Sequence, residues 1–129
     1  MSTIQSTRDE LATVLAPLGQ VYSYLPGSAE LPALVVGLPQ RLNNSVSGAY
    51  WRVEIPIYVV VRSAVPAAAE AELLELVVAA VGLLEQNRTG TTYSSMRVVD
   101  TSDLYPITVG RIEAHSAQIN TELMLTPTT

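Results

Sequence analysis

Cysteine and lysine are both absent from this chain of 129 residues, and histidine occurs once. Without cysteine there is no disulfide framework, no thiolate nucleophile and no thiolate metal site. Without lysine the positive charge rests on seven arginines against twelve acids, a formal net charge of −5. A protein that grips nucleic acid through its phosphates needs a basic patch, and that inventory is missing here. The longest apolar-leaning run, near residues 73 to 84, is broken by Glu75 and too short to cross a bilayer. The opening MSTIQSTRDELATVL carries acids where a signal peptide needs a basic region and a long apolar core, so no targeting segment is expected and the protein is expected to be soluble.

What is present is an apolar, thinly charged chain. Hydrophobic residues make up 48% and charged residues 15%, which is little charge for the surface of a lone globular monomer and predicts that some apolar surface meets other protein. The length fits one domain, residues 1–129. The first segment reads as an amphipathic helix with Ile4, Leu11, Val14, Leu15 and Leu18 on one stripe, Ser2 and Gln5 spaced as a capping box, and Pro17 and Gly19 at its end. QVYSYL (20–25) and LPALVVGLP (31–39) read as short strands, and QRLNNSVSG (40–48) as a polar loop. In AYWRVEIPIYVVVR (49–62), Trp51, Val53, Ile55, Ile57, Val59 and Val61 share one face of a long strand, and Pro56 predicts a kink between two collinear halves.

VPAAAEAELLELVVAAVGLLEQN (65–87) is the clearest helix. Pro66 sits at its first turn, Glu70, Glu72 and Glu75 lie towards the positive end of its dipole, and Arg88 lies just past the negative end. Its apolar set is wider than one stripe, so a second covered face is expected, and Gly82 suggests close backbone packing. RTGTTYSS then reads as a loop. MRVVD (96–100), YPITVG (105–110) and AQINTELMLT (117–126) read as strands, the last alternating Ile119, Thr121, Leu123 against Gln118, Asn120, Glu122, Met124. The fold class predicted is α+β: a mostly antiparallel sheet packed by one long helix, with an additional N-terminal helix.

Catalysis finds little to stand on. His115 is surrounded by no nucleophile motif, DTSD (100–103) is a turn before it is a metal loop, and Glu70, Glu72 and Glu75 are explained by helix placement. The seven glycines form no phosphate cradle. The expectation is no enzyme activity, no catalytic residue, no cofactor and no metal. Surface chemistry is more informative. Tyr22, Tyr24, Tyr50, Arg52, Glu54, Tyr58 and Arg62 fall opposite the aliphatic core set, and tyrosine and arginine are enriched where proteins meet. These seven are the candidate subunit interface. Arg41, Asn43, Asn44, Arg88 and Tyr93, in the two longest polar connections, are candidate contacts for other partners, and deleting 41–47 is expected to leave folding intact.

The order of these elements, with STRDELATVLAPLG running into VYSYLPGSAELPALVVGLP, then YWRVEIPIYVVVR, AAAEAELLELVVAAVGLLE and INTELMLT, resembles the tail-terminator or tail-completion proteins at the head–tail junction of long-tailed bacteriophages. The likeness covers most of the chain and transfers no motif residue by residue. It implies a virion protein, assembled in the host cytoplasm, that forms a homo-oligomeric ring, typically a hexamer. Such a ring closes the end of the tail-tube protein and docks on the head–tail connector or stopper. Six copies would carry a formal charge of about −30, so DNA could pass a channel without specific binding. Another neck or tail adaptor, a stopper or a baseplate or tube adaptor, would present a similar subunit. A small-ligand carrier or enzyme with a tyrosine-lined pocket is the reading from a different class.

Overall fold

A computed structural model of the chain describes residues 4–22, 32–39, 41–44, 51–62, 66–102, 105–109 and 112–125. Helix α1 spans Ile4–Leu15 and helix α2 Pro66–Gln86; the strands are β1 (Gln20–Tyr22), β2 (Ala33–Val36), β3 (Arg41–Asn44), β4 (Trp51–Arg62), β5 (Tyr93–Thr101), β6 (Tyr105–Val109) and β7 (Ile112–Leu125). They form one seven-stranded sheet in the order β1-β2-β4-β7-β5, with β3 added to β4 and β6 added to β7. Every pairing is antiparallel except β1 with β2, which is parallel. The chain is thus a mixture of two helices and a mostly antiparallel sheet.

The centre of the sheet is the β4–β7 pair, in register from Arg52↔Met124 to Arg62↔Ala114. The period of two decides its faces. Val53, Ile55, Ile57, Val59 and Val61 of β4 are all fully buried, as are Ala117, Ile119, Thr121 and Leu123 of β7. Thr121 is tolerated there because its hydroxyl donates to the Ile55 carbonyl at 2.7 Å, which satisfies a group that would otherwise be buried unpaired. Leu73, Ala80 and Leu84 of α2, with Leu11 and Leu15 of α1, join the same cluster, so both helices share one side of the sheet. In α1, Thr7 and Arg8 are also buried. The Arg8 guanidinium donates to the Val36 carbonyl at 2.9 Å and to Gln5 Oε1 at 3.1 Å, and its long stem extends the apolar stripe. A single 3-10 turn, Ala16–Leu18, ends the helix at Gly19, whose φ of 131° excludes any side chain without strain. Ser2 of the expected capping box lies outside the described residues.

Three expectations are corrected. Strand β4 is one uninterrupted strand, and its register with β7 runs through Pro56 without a shift. The break falls on its neighbour instead. β2 pairs with Ile57–Val60 and β3 with Trp51–Glu54 along the same edge of β4. The Pro56 carbonyl accepts from the Gly37 N–H at 2.8 Å between them. A residue's N–H and C=O leave an antiparallel strand on the same side, so the donor that proline lacks would have faced the gap between β2 and β3, where no ladder partner requires it.

Secondly, Arg41, Asn43 and Asn44 lie in strand β3 and not in a loop. Deleting 41–47 would therefore remove a strand from the sheet. Thirdly, Gly82 is not closely packed among the described residues: a methyl group built on it meets nothing within 4 Å there. Gly82→Ala is expected to raise stability by about 0.5–1 kcal/mol, because alanine loses less backbone entropy in a helix, and the midpoint of denaturant unfolding of the isolated protein measures it.

Candidate functional site

The side of the sheet away from the helices carries every second residue of β4 and β7, and among the described residues no helix covers it. Successive cross-strand rows grade from charge to aromatic and aliphatic character. At one end Ser95, Met124, Arg52 and Asn43 are in register; next come Arg97, Glu122, Glu54 and Arg41. Then come Asp100, Asn120 and Pro56, and after them Gln118, Tyr58, Val35 and Tyr22. The grading comes straight from the strand sequences, because register is set strand by strand once one face of each is committed to the core.

The charged row has an internal tension. Glu54 and Glu122 are directly opposite on neighbouring strands, a pairing that repels. Arginines relieve it. Arg97 Nε donates to Glu122 Oε1 at 3.3 Å, and Arg52 Nε stands 4.0 Å from the same oxygen. Both arginine side chains are more than half exposed, at 61% and 54%, so each pair adds only a few tenths of a kcal/mol to about 1 kcal/mol of stability. Across the next two rows two amides lead to a carboxylate: Gln118 Nε2 donates to Asn120 Oδ1 at 2.6 Å, and Asn120 Nδ2 to Asp100 Oδ1 at 2.5 Å. At the far end Val60 and Ala114 are buried beneath Tyr22, Tyr58 and Ile107, a small apolar cluster on this second side.

The expected interface residues fall on this surface as far as they are described. Arg52 and Arg62 are exposed; Tyr22, Glu54 and Tyr58 are half-buried. Tyr24 and Tyr50 lie outside the described residues. The structure also merges two sets that the sequence kept apart, since Arg41 and Asn43 of β3 are in register with Glu54 and Arg52. Arg97 and Glu122 belong to the same surface and were not singled out as candidates. Glu122 stood on the polar side of the alternation in INTELMLT, but its two arginine neighbours come from strands 25 and 70 residues away in sequence.

Tyr93 is removed from the list of partner contacts. Its side chain is fully buried, with the phenol donating to the Asn87 carbonyl at 2.7 Å. Burial, with the nearby Glu10 carboxylate second, pushes that phenol up from its ordinary value and keeps it a donor. Strand β5 begins at Tyr93, so the connection from α2 is shorter than expected and is pinned from outside. Glu10 of α1 accepts four hydrogen bonds from it, from the N–H and hydroxyl of Thr91 at 2.9 and 3.2 Å and from those of Thr92 at 2.8 and 2.5 Å. Burial tends to raise the Glu10 carboxyl, and the donors of Thr92 and Thr91 outweigh it and hold the group below the ordinary glutamate range.

Arg88 stays exposed and stands 3.9 Å from Glu85. With Arg52, Arg97, Ser95, Glu122 and Met124 it lines a groove of about 210 Å³ at the charged end of the sheet. His115 is half-buried opposite Val61 on the helix-covered side, away from this surface. Among the described residues no group of three or more histidine, aspartate or glutamate side chains could hold a metal ion, and no helix is long and apolar enough to cross a membrane. No family model matches the sequence, and a search of curated proteins found no significant match.

Proposed function

We propose that this chain is a structural subunit that assembles with copies of itself into a ring in the neck of a long-tailed phage, closing the tail tube and joining it to the head connector while DNA passes through. The observation that carries the reading is the two-sidedness of the sheet. One face is filled by α1 and α2; the other presents Tyr22, Tyr58, Arg52, Arg62 and Arg97 with no helix over it among the described residues. Tyrosine and arginine on an unroofed sheet suit protein contact, because both give large contact area with polar tips that keep their partners at the rim. The absence of lysine and the formal charge of −5 suit a conduit that DNA must leave freely.

The test is assembly of the purified full chain. Sedimentation velocity at micromolar concentration, followed by negative-stain imaging, should give closed rings with a central opening, and these should cap polymerised tail-tube protein at one end. A chain that stays monomeric at all concentrations, with and without tube protein, would remove the reading. Specific saturable binding of a small metabolite by that monomer, lost on Tyr58→Ala, would put a carrier in its place.

A further inference from the structure

We propose that neighbouring copies join front to back, the outer side of α2 in one copy seating on the arginine groove of the next. This rests on the ring reading above and specifies its contact.

The outer side of α2 is unusual in three respects. Leu74 and Val78, one helical turn apart, are 54% and 71% exposed. Ala71 and Gly82 continue the same strip, and among the described residues nothing stands within 4 Å of a methyl group built on Gly82. The charge beside the strip is of one sign: α2 holds Glu70, Glu72, Glu75 and Glu85 and no arginine. By helical angle, Glu70 and Glu75 flank the Leu74–Val78 strip on its two sides. The strip is thus an apolar ridge between carboxylates.

The complementary surface is the groove lined by Arg52, Arg88, Arg97 and Met124, where three cations outnumber the one carboxylate, Glu122. Three arginine side chains line it, each more than half exposed. Their carboxylate partners within the chain stand at 3.3 to 4.0 Å, so donors remain for a second anion. Arg52 and Arg97 sit on strands separated only by β7, and their Nε atoms converge on one oxygen of Glu122, at 4.0 and 3.3 Å. Glu70 and Glu75 are about 7.5 Å apart along the helix axis and on opposite sides of the ridge. Met124, unbranched and adaptable, lines the same groove and offers an apolar contact to such a ridge.

The charge complementarity selects a second copy as occupant and also fixes the type of contact. The acidic ridge lies on the helix side of the sheet, and Arg52 and Arg97 lie on the other. With the two surfaces on opposite sides of the sheet, one neighbour takes the ridge and another supplies its ridge to the groove, so the contact is heterologous and yields a ring when its rotation closes.

Two variants test it: Glu70→Arg/Glu75→Arg, which reverses the ridge, and Arg52→Glu/Arg88→Glu, which reverses the groove and leaves the Arg97–Glu122 pair in place. Each alone should fold, shown by unchanged circular dichroism, and should assemble at least about 100-fold more weakly than the unmodified chain. Mixed one to one, they should assemble again, because reversed ridge meets reversed groove and native ridge meets native groove in alternation. A milder pair, Glu70→Gln/Glu75→Gln, should weaken assembly and flatten its salt dependence without charge reversal, and it serves if either reversed chain misfolds. Should the unmodified chain form rings while the variants assemble equally well, or should the mixture of two folded monomers stay monomeric, the docking is wrong and the ring reading stands. A monomeric unmodified chain overturns both.

Discussion

Replacing Glu10 with alanine is expected to destabilise the protein by about 2–3 kcal/mol at neutral pH, enough to move a denaturant midpoint by roughly 1 M urea. The side chain receives the N–H and hydroxyl of both Thr91 and Thr92, and hydrogen bonds to a carboxylate are stronger than those to a neutral acceptor. The partial exposure of the cluster keeps the figure well below the sum of four such bonds. Its removal would leave two backbone donors of the α2–β5 connection seeking water and cut the main polar tie between α1 and that connection. Glu10→Gln should lose roughly half as much, since an amide oxygen still accepts but carries no charge.

The same carboxylate predicts a pH dependence with a defined sign. Its folded pKa is held below the ordinary value because the donors of Thr92 and Thr91 outweigh the opposing effect of burial. The unfolded chain, with a glutamate pKa of about 4.3, therefore binds the proton first as pH falls. The stabilisation is fully present above that pH and is lost progressively as pH drops through the lower folded value. Urea titrations at pH 7 and at steps below 5 should show the unmodified chain weakening through this window, and Glu10→Gln weakening by less. Parallel slopes for the two chains would show that Glu10 is not the group responsible.

Gly37→Ala is expected to cost about 1–3 kcal/mol, the range found when a close-packed site is overfilled. A methyl group there would stand 2.9 Å from the Pro56 carbonyl oxygen and from Pro56 Cγ, and 3.0 Å from the Tyr58 ring. The oxygen belongs to backbone at the centre of the sheet and accepts from the Gly37 N–H itself, so neither partner can move without loosening the edge where β2 ends. Gly82→Ala makes the opposite expectation from the same chemistry. Thermal unfolding of the two variants side by side should show midpoints displaced in opposite directions. A stabilised Gly37→Ala would mean that the β2–β3 switch is looser than these distances imply.

The legibility of the chain followed the strength of its local patterns. Helix α2 could be read from Pro66, the glutamates of its first half and its run of leucine and valine, because propensity, capping and periodicity agree there. The buried faces of β4 and β7 followed from strict alternation. Strand β3 could not be read: RLNN is polar, and what makes it a strand is the free edge of β4 beyond the point where β2 leaves at Pro56. The burial of Tyr93 is hidden in the sequence for a related reason. In TTYSS it has only polar neighbours in sequence, and the apolar surroundings that bury it come from residues far along the chain. The candidate surface was half legible. Alternation placed Arg52, Glu54, Tyr58 and Arg62 together, while Arg97, Glu122 and Arg41 joined them only through pairing.

That the chain has no thiol chemistry and no lysine-rich patch, and which side of each long strand is apolar, follows from the order of its amino acids. Those are properties of composition and of a period of two, and they survive any arrangement of the elements. Tertiary structure alone decided which strands are neighbours, that both helices share one side, and that the arginines and glutamates of four strands meet in one row. Contacts between residues tens of positions apart depend on sheet order and register, and those are set by the joint burial of all the strands at once.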